Sequence, residues 1–277
     1  MRPLEQPGWA LHRGPAAPEA YHPRPLPLLW PLRAAGYYVW IAAVTMFMGL
    51  WWLPQIRRNP ARAHVLPVVW TGRLLWAARV ILGVTVELRG TPPTDDVIVA
   101  AKHQSFLDIL AISHAVPQCG FIMKREVLRV PIMGYYARLA GCIPIDRAKG
   151  SEAMRQIIGE IQARRASADG LGQLIIYPEG TRTRPGERRK YKHGVGTIQA
   201  ATGLAVHPVA VNCGMFWPKD GLRVRPGRSV IEFLPPIPQG LEAPGVAAEV
   251  ERVVETASDA LMADAGLVVA PRVGGQP

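Results

Sequence analysis

Cysteine is scarce in this sequence: three residues, Cys119, Cys142 and Cys213, in a chain of 277. They are widely spaced, odd in number and form no C-x-x-C, which argues against a disulfide framework or a zinc site and favours a reducing compartment. The seven histidines show no H-E-x-x-H or other ligand spacing, so no structural or catalytic metal is expected. A secretory signal is also missing. A polar, Pro-rich stretch precedes the first apolar run, and no small-residue cleavage site follows that run. No internal repeat is visible, and no G-x-S-x-G elbow surrounds Ser105, which excludes the usual serine-nucleophile signature.

What is present begins with charge and apolar content. The net charge is +11 and 49% of residues are hydrophobic. A folded, basic chain of this kind seeks an anionic partner, whether nucleic acid, an anionic bilayer or an acidic substrate. No recognised nucleic-acid-binding fold signal or stacked-aromatic pattern accompanies the charge, so nucleic acid ranks last. Residues 1–33 carry eight prolines and read as a flexible tail. Residues 34–53 then run without a single charge, long enough for about 30 Å of helix, the thickness of a hydrocarbon core. Tyr37, Tyr38, Trp40, Trp51 and Trp52 lie near the two ends, where aromatics anchor at headgroup level. Arg33 precedes the run and Arg57, Arg58 and Arg62 follow it, so the positive-inside rule assigns no direction; a single span and a re-entrant segment both fit. Residues 65–86 mix Val69, Leu74, Trp76 and Val80 with Arg73 and Arg79, the composition of an interfacial helix with its arginines toward phosphate.

After residue 83 short β-rich runs alternate with helical stretches. Strands are predicted at 84–88, 97–101, 120–123, 142–145, 173–177, 205–211 and 229–233. Helices are predicted at 106–115, 131–139, 151–165, 194–202 and 244–264, the last with Val246, Val250, Val253, Ala257 and Leu261 on one stripe. Strands separated by helices imply an α/β layered domain with a mostly parallel or mixed central sheet. The expected division is a tail (1–33), membrane-associated helices (34–82), a catalytic α/β domain (83–265) and a tail (266–277).

Four clusters carry candidate chemistry, each at the end of a predicted strand. Lys102-His103-Gln104-Ser105-Phe106-Leu107-Asp108 follows VIVAA. In one continuous helix His103 and Asp108 would lie roughly 140° apart and could not meet. They meet if His103 is in the strand-to-helix turn and Asp108 in the first helical turn, with Ser105 as N-cap. A carboxylate on one imidazole nitrogen fixes the tautomer and leaves the other free to take a proton. Taken alone, a His and an Asp at this spacing are more often structural than catalytic. Tyr177-Pro178-Glu179-Gly180-Thr181-Arg182 follows QLIIY. There Arg182 offers a fork suited to phosphate, Gly180 permits a sharp turn, and Glu179 is expected to hold the loop by pairing within the cluster of Arg184, Arg188, Arg189, Lys190 and Lys192. That basic run by itself is equally a solvated loop. Lys124 ends a third strand. Asp146 and Arg147 end a fourth, where a local ion pair is as good a reading.

The ordered set His103-x4-Asp108, Lys124-Arg125-Glu126, Gly141-Cys142-Ile143-Pro144-Ile145-Asp146-Arg147, Glu179-Gly180-Thr181-Arg182 and His207-Pro208-Val209-Ala210-Val211 resembles the 1-acyl-sn-glycerol-3-phosphate acyltransferase family over roughly residues 84–235. The resemblance implies a glycerolipid-acyltransferase-like fold, with His103 as base and Asp108 as its partner. It implies that Lys124 and Arg182 bind the acceptor phosphate, shaped by Glu179, Gly180 and Thr181. Asp146 and Arg147 would belong to the acceptor side and Pro208 would lie near the acyl donor. Lys102 departs from the family's more usual Asn; a charge there would lower the pKa of His103 if it pointed inward. Asn212, at the end of the last motif, is a second departure. The implied reaction takes an acyl chain from acyl-carrier protein or acyl-CoA to a lysophospholipid hydroxyl, giving phosphatidic acid. It needs no cofactor and belongs on the cytoplasmic face of the inner membrane, against anionic lipid and without nucleic acid. The same chemistry on another lysolipid such as a lyso-aminolipid, hydrolysis through His103, and a non-catalytic membrane-binding role are the alternatives. Acyl-chain preference and oligomeric state are not legible.

Overall fold

Residue parity along one short strand sets up the whole arrangement. The strand 97–101 is buried on both faces, and its side chains alternate. Val97, Val99 and Ala101 enter one apolar core, while Ile98 and Ala100 enter another. This is the period of two expected of a central strand covered on both sides.

The computed structural model describes residues 30–130, 132–146, 150–168, 170–221 and 223–267. The segment before residue 30, Pro131, Arg147 and the tail from 268 onward lie outside them, so the expectations placed there concern undescribed residues. Among the described residues seven strands occur in the order expected: β1 (Val84–Arg89), β2 (Val97–Ala101), β3 (Cys119–Lys124), β4 (Ile143–Ile145), β5 (Gln173–Ile176), β6 (Ala205–Val211) and β7 (Gly227–Phe233). They form one sheet in the order β1-β7-β6-β2-β5-β3-β4. Every neighbouring pair is parallel except β6 with β7, so the sheet is mixed and mostly parallel.

The helices are α1 (Trp30–Arg58), α2 (Val65–Leu82), α3 (Phe106–Ala115), α4 (Met133–Leu139), α5 (Gly150–Arg165), α6 (Gly194–Thr202) and α7 (Ala243–Asp264). On one side of the sheet, α3 and α2 supply Leu107, Leu110, Leu74 and Ala78 to a core that also takes Ala34 and Tyr37 from α1. On the other side α5, α6 and α7 supply Ile157, Ile161, Ile198 and Val250. The helices α1 and α2 thus share a core with the sheet. The chain enters α1 with Trp30 donating its indole N–H to the carbonyl of Val224, and Tyr38 donates to the carbonyl of Gly221.

Both α1 and the stretch Arg62–Leu82 are long and apolar enough to cross a membrane by length and composition. Much of α1 faces outward: Leu32, Val39, Met46, Phe47, Leu50 and Trp51 are exposed. Arg73 and Arg79 of α2 are also exposed, consistent with the outward placement expected of them.

The stripe predicted on α7 is shifted. Val253 and Ala257 are only half-buried, whereas Val254, Glu255 and Ser258 are buried. The buried arc is rotated toward two polar residues because each has a partner inside: Ser258 accepts from the backbone N–H of Val211 at 3.2 Å, and Glu255 reaches Lys102. Apolar periodicity alone gives no weight to such positions.

Candidate active site

The strands β2, β5 and β6 run parallel in register, Val97 opposite both Gln173 and Ala205. Their carboxyl ends therefore open onto the same edge of the sheet, where α/β folds bind ligands. This topology alone brings the segment 102–108 beside the segment 177–183.

The turn from β2 into α3 explains the spacing of His103 and Asp108. Ser105 is the N-cap, in extended conformation, and its hydroxyl accepts from the N–H of Leu107 at 3.0 Å. Asp108 is the N3 residue of that capping box. Its Oδ2 accepts from the backbone N–H groups of Gln104 and Ser105 at 2.8 and 2.6 Å. Its Oδ1 is thereby presented to His103, whose Nδ1 donates to it at 2.9 Å. One fully buried carboxylate both starts the helix and fixes the imidazole. The pairing expected of these two residues is therefore present, and Nε2 is the ring nitrogen left for chemistry.

A ring stack supports the imidazole from the neighbouring strand. Tyr177, just past β5, lies face to face with His103, with centroids 3.9 Å apart and planes 18° apart. Odd-numbered residues of β2 and β5 face the same core; Ile175 lies opposite Val99, so Tyr177, two residues on, comes to the same face as Ala101 and His103. Even-numbered residues face the other way, and this decides where Lys102 goes. Its ammonium is fully buried on the α7 side, 2.6 Å from Glu255 Oε1 and 3.3 Å from Glu179 Oε1.

Glu179 corrects an expectation. It does not hold its loop by pairing with the arginine cluster. It is buried beneath the loop, where its Oε2 accepts from the backbone N–H of His103 at 2.7 Å and its Oε1 accepts from Thr183 Oγ1 at 2.8 Å. Burial pushes its pKa up, opposed by the charge of Lys102 and the hydrogen bonds from His103 and Thr183. Thr183 closes the ring by donating its own N–H to the carbonyl of His103 at 2.8 Å. Lys102, in turn, points away from the imidazole with carboxylate partners on either side, so the inward-pointing charge considered from the sequence is not realised.

His103 opens into a cavity of about 470 Å³. Its walls are mainly apolar and come from α1 (Met48, Gly49), α2 (Leu66, Trp70), β3 (Phe121) and α4 (Tyr136). Gly180, Thr181 and Arg182 line it as well, as does Lys124. Gly180 adopts a positive φ of 72°, and a Cβ there would come within 2.9 Å of Lys192 Nζ, so the sharp turn read from the sequence is present. Lys124 sits largely exposed and pairs with Glu126 at 3.3 Å. Asp146 follows the edge strand β4, three strands from β2, and is not among the cavity-lining residues. Pro208 is buried in β6 opposite Ala100 and also lies off the cavity. Arg147 lies outside the described residues. Asn212 is buried and bonds the N–H of Val230 and the carbonyl of Leu261, locking β7 and α7 to β6.

Residues 83–212 match the acyltransferase family model. This segment contains the dyad, the buried glutamate and the Arg182 loop. Over that segment, just under half of its length, the chain is similar to the acyltransferase family. A 1-acyl-sn-glycerol-3-phosphate acyltransferase from Pseudomonas aeruginosa is 28% identical over 237 residues, 84% of this chain and 91% of that protein. The bovine 1-acyl-sn-glycerol-3-phosphate acyltransferase alpha is 31% identical over 186 residues, 65% of this chain and 64% of its own length. The crystal structure of the 1-acyl-sn-glycerophosphate (LPA) acyltransferase PlsC from Thermotoga maritima superposes with a TM-score of 0.69 at 26% identity, covering 84% of this chain and 97% of that one. The acyltransferase thus shares both domain and fold with enzymes of acyl transfer, and it is itself an enzyme.

Three participants in the acyltransferase site were not legible beforehand. Tyr177 reads from the sequence as a strand residue, Thr183 carries no signal there, and Glu255 sits 76 residues past Glu179 on a helix whose predicted stripe counts apolar residues alone. Strand parity applied to β2 and β5 would have found Tyr177.

Proposed function

We propose that this acyltransferase esterifies the free hydroxyl of 1-acyl-sn-glycerol-3-phosphate, giving phosphatidic acid at a membrane surface. The single observation that carries the proposal is the Asp108-bound His103 in the wall of an apolar cavity, with Arg182 among the residues that line it. The names of the relatives support the same acceptor.

In the proposed reaction Arg182 pairs with the acceptor phosphate, with Thr181 and Gly180 shaping the loop and Lys124 adding charge at the rim. Nε2 of His103 takes the proton from the glycerol hydroxyl as its oxygen attacks the thioester carbonyl. The new C–O bond forms, the C–S bond breaks, and the proton passes from the imidazolium to the departing thiolate. Asp108 stabilises the imidazolium meanwhile. The acceptor oxygen is the nucleophile, so no acyl-enzyme and no cofactor are required. The apolar cavity suits an acyl chain. Acyl-carrier protein and acyl-CoA both serve the chemistry as donor. The exposed apolar face of α1, with Trp76 and Val80 of α2 and the net charge of +11, favours an anionic bilayer. The cytoplasmic face of the inner membrane is the side on which such thioester donors are found.

The test is turnover by protein purified in detergent, supplied with labelled acyl-CoA or acyl-carrier protein and a panel of lysolipids that includes a lyso-aminolipid. Diacyl product from the phosphate-bearing acceptor, abolished in His103→Ala, is the expected result. Release of free fatty acid alone, preference for the aminolipid, or liposome binding without turnover would each overturn it.

A further inference from the structure

The dyad is accounted for by Asp108, but nothing yet explains why three charges lie sealed behind it. Lys102, Glu179 and Glu255 have side-chain exposures of 0–2%. Such burial is costly, and a buried ion pair is a weak source of stability. Its value must lie in what it positions. Among the described residues, Glu255 Oε2 has no hydrogen-bond partner, so the cluster is not arranged to satisfy Glu255. Glu179, by contrast, uses both oxygens. Oε2 holds the N–H of His103, and Oε1 accepts the hydroxyl proton of Thr183, whose own backbone N–H donates to the carbonyl of His103 at 2.8 Å. Both ends of the His103 peptide frame therefore depend on one carboxylate.

We infer that Lys102 is a positioning residue for catalysis, which acts through Glu179 to hold the main chain of His103. An ionised acceptor makes the stronger, shorter bond to a backbone N–H, and a desolvated carboxylate stays ionised only beside a cation. Lys102 is that cation. It is aimed there by strand parity, which sends residue 103 to the cavity and residue 102 to α7. Glu255 anchors the ammonium from α7 at 2.6 Å and is itself braced by Tyr191, whose hydroxyl donates to it at 3.0 Å. Glu255 lies beyond the segment 83–212. A displacement of the imidazole by about 1 Å is enough to cost on the order of 10²-fold in rate.

The inference rests on His103 being the base, and the test separates the two. Two variants of the full chain are compared, Glu255→Gln, which leaves a neutral Lys102–Glu179 pair, and Lys102→Gln/Glu255→Gln, which leaves Glu179 without its cation. Turnover and thermal unfolding are measured for both, beside His103→Ala. Glu255→Gln is expected to fold and to lose less than about fivefold in kcat. The double variant is expected to fold and to lose a further ~30–100-fold in kcat, with KM for donor and acceptor within about twofold. A merely structural counter-ion would instead leave the kcat of the folded fraction unchanged. The inference is overturned if the double variant retains the kcat of Glu255→Gln, if the loss appears in KM, or if either variant fails to fold. Activity persisting in His103→Ala would instead sink the reading of the base.

Discussion

Two consecutive residues at the end of β2 have opposite surroundings. His103 faces α1, α2 and α3, where the helices leave a cavity of about 470 Å³. Lys102 faces α5, α6 and α7, where its side chain is sealed completely. The open side is lined by side chains that a lipid can reach, and the sealed side by a packed core and paired charges. The difference teaches that this fold divides its labour by sheet face, with chemistry on one and support on the other. The site is poised between them because a strand turns its side chains over at every residue.

That contrast can be broken at four points. The largest effect is expected on the open side. His103→Ala should lower kcat on the order of 10³–10⁴-fold without lowering the unfolding temperature comparably, since general-base catalysis is lost while the Asp108 cap remains. A comparable loss of stability would mean that the imidazole is a structural element. Next comes the sealed side. Ile198→Ala, at a fully buried position of α6, should cost about 2–4 kcal/mol of stability while kcat per folded molecule stays within about twofold; denaturant titration paired with turnover measures both. A large fall in kcat there would show that the two faces are not independent.

Smaller effects sharpen the picture. Arg182→Ala should raise KM for a phosphate-bearing acceptor about tenfold, leaving KM for the thioester nearly unchanged, as expected if its fork binds the phosphate of the bound lysolipid. Equal effects on both substrates would remove the phosphate role. Ser105→Ala removes only the N-cap half of the capping box. About 1 kcal/mol is expected, which in a domain of this size is a fall of about 2–4 °C in Tm. No change in Tm would show that Asp108 alone starts α3.

Much of this was readable in advance, for reasons that can be stated. Each β-rich run from VTVEL to SVIEF became a strand because turn signals bracket it and helices alternate with it. The spacing of His103 and Asp108 was legible because Ser105 announced a helix start between them. Glu179 was misassigned because proximity in sequence to arginines suggested surface pairing, whereas its partner, Lys102, stands 77 positions earlier. Glu255 was missed because a carboxylate on an amphipathic helix reads as solvent-facing until a buried cation is known to lie opposite. Asp146 and Pro208, placed in the site by resemblance, lie off the cavity. Pro208 is an interior residue of β6 and Asp146 follows the edge strand β4, far from the end of β2.

The sequence by itself determined the alternation of strands and helices, the uncharged run 34–53 within the first helix, the capped turn that joins a histidine to an aspartate, and the order of the motifs. All of these are local, set by periodicity and by contacts within a few residues. Only the tertiary structure decided which strands lie side by side, and hence that Tyr177 stacks on His103 and that Lys102 meets two carboxylates from distant segments. Those pairings depend on the order of strands in the sheet and the rotation of α7, which couple residues with no proximity along the chain and leave no periodic trace in it.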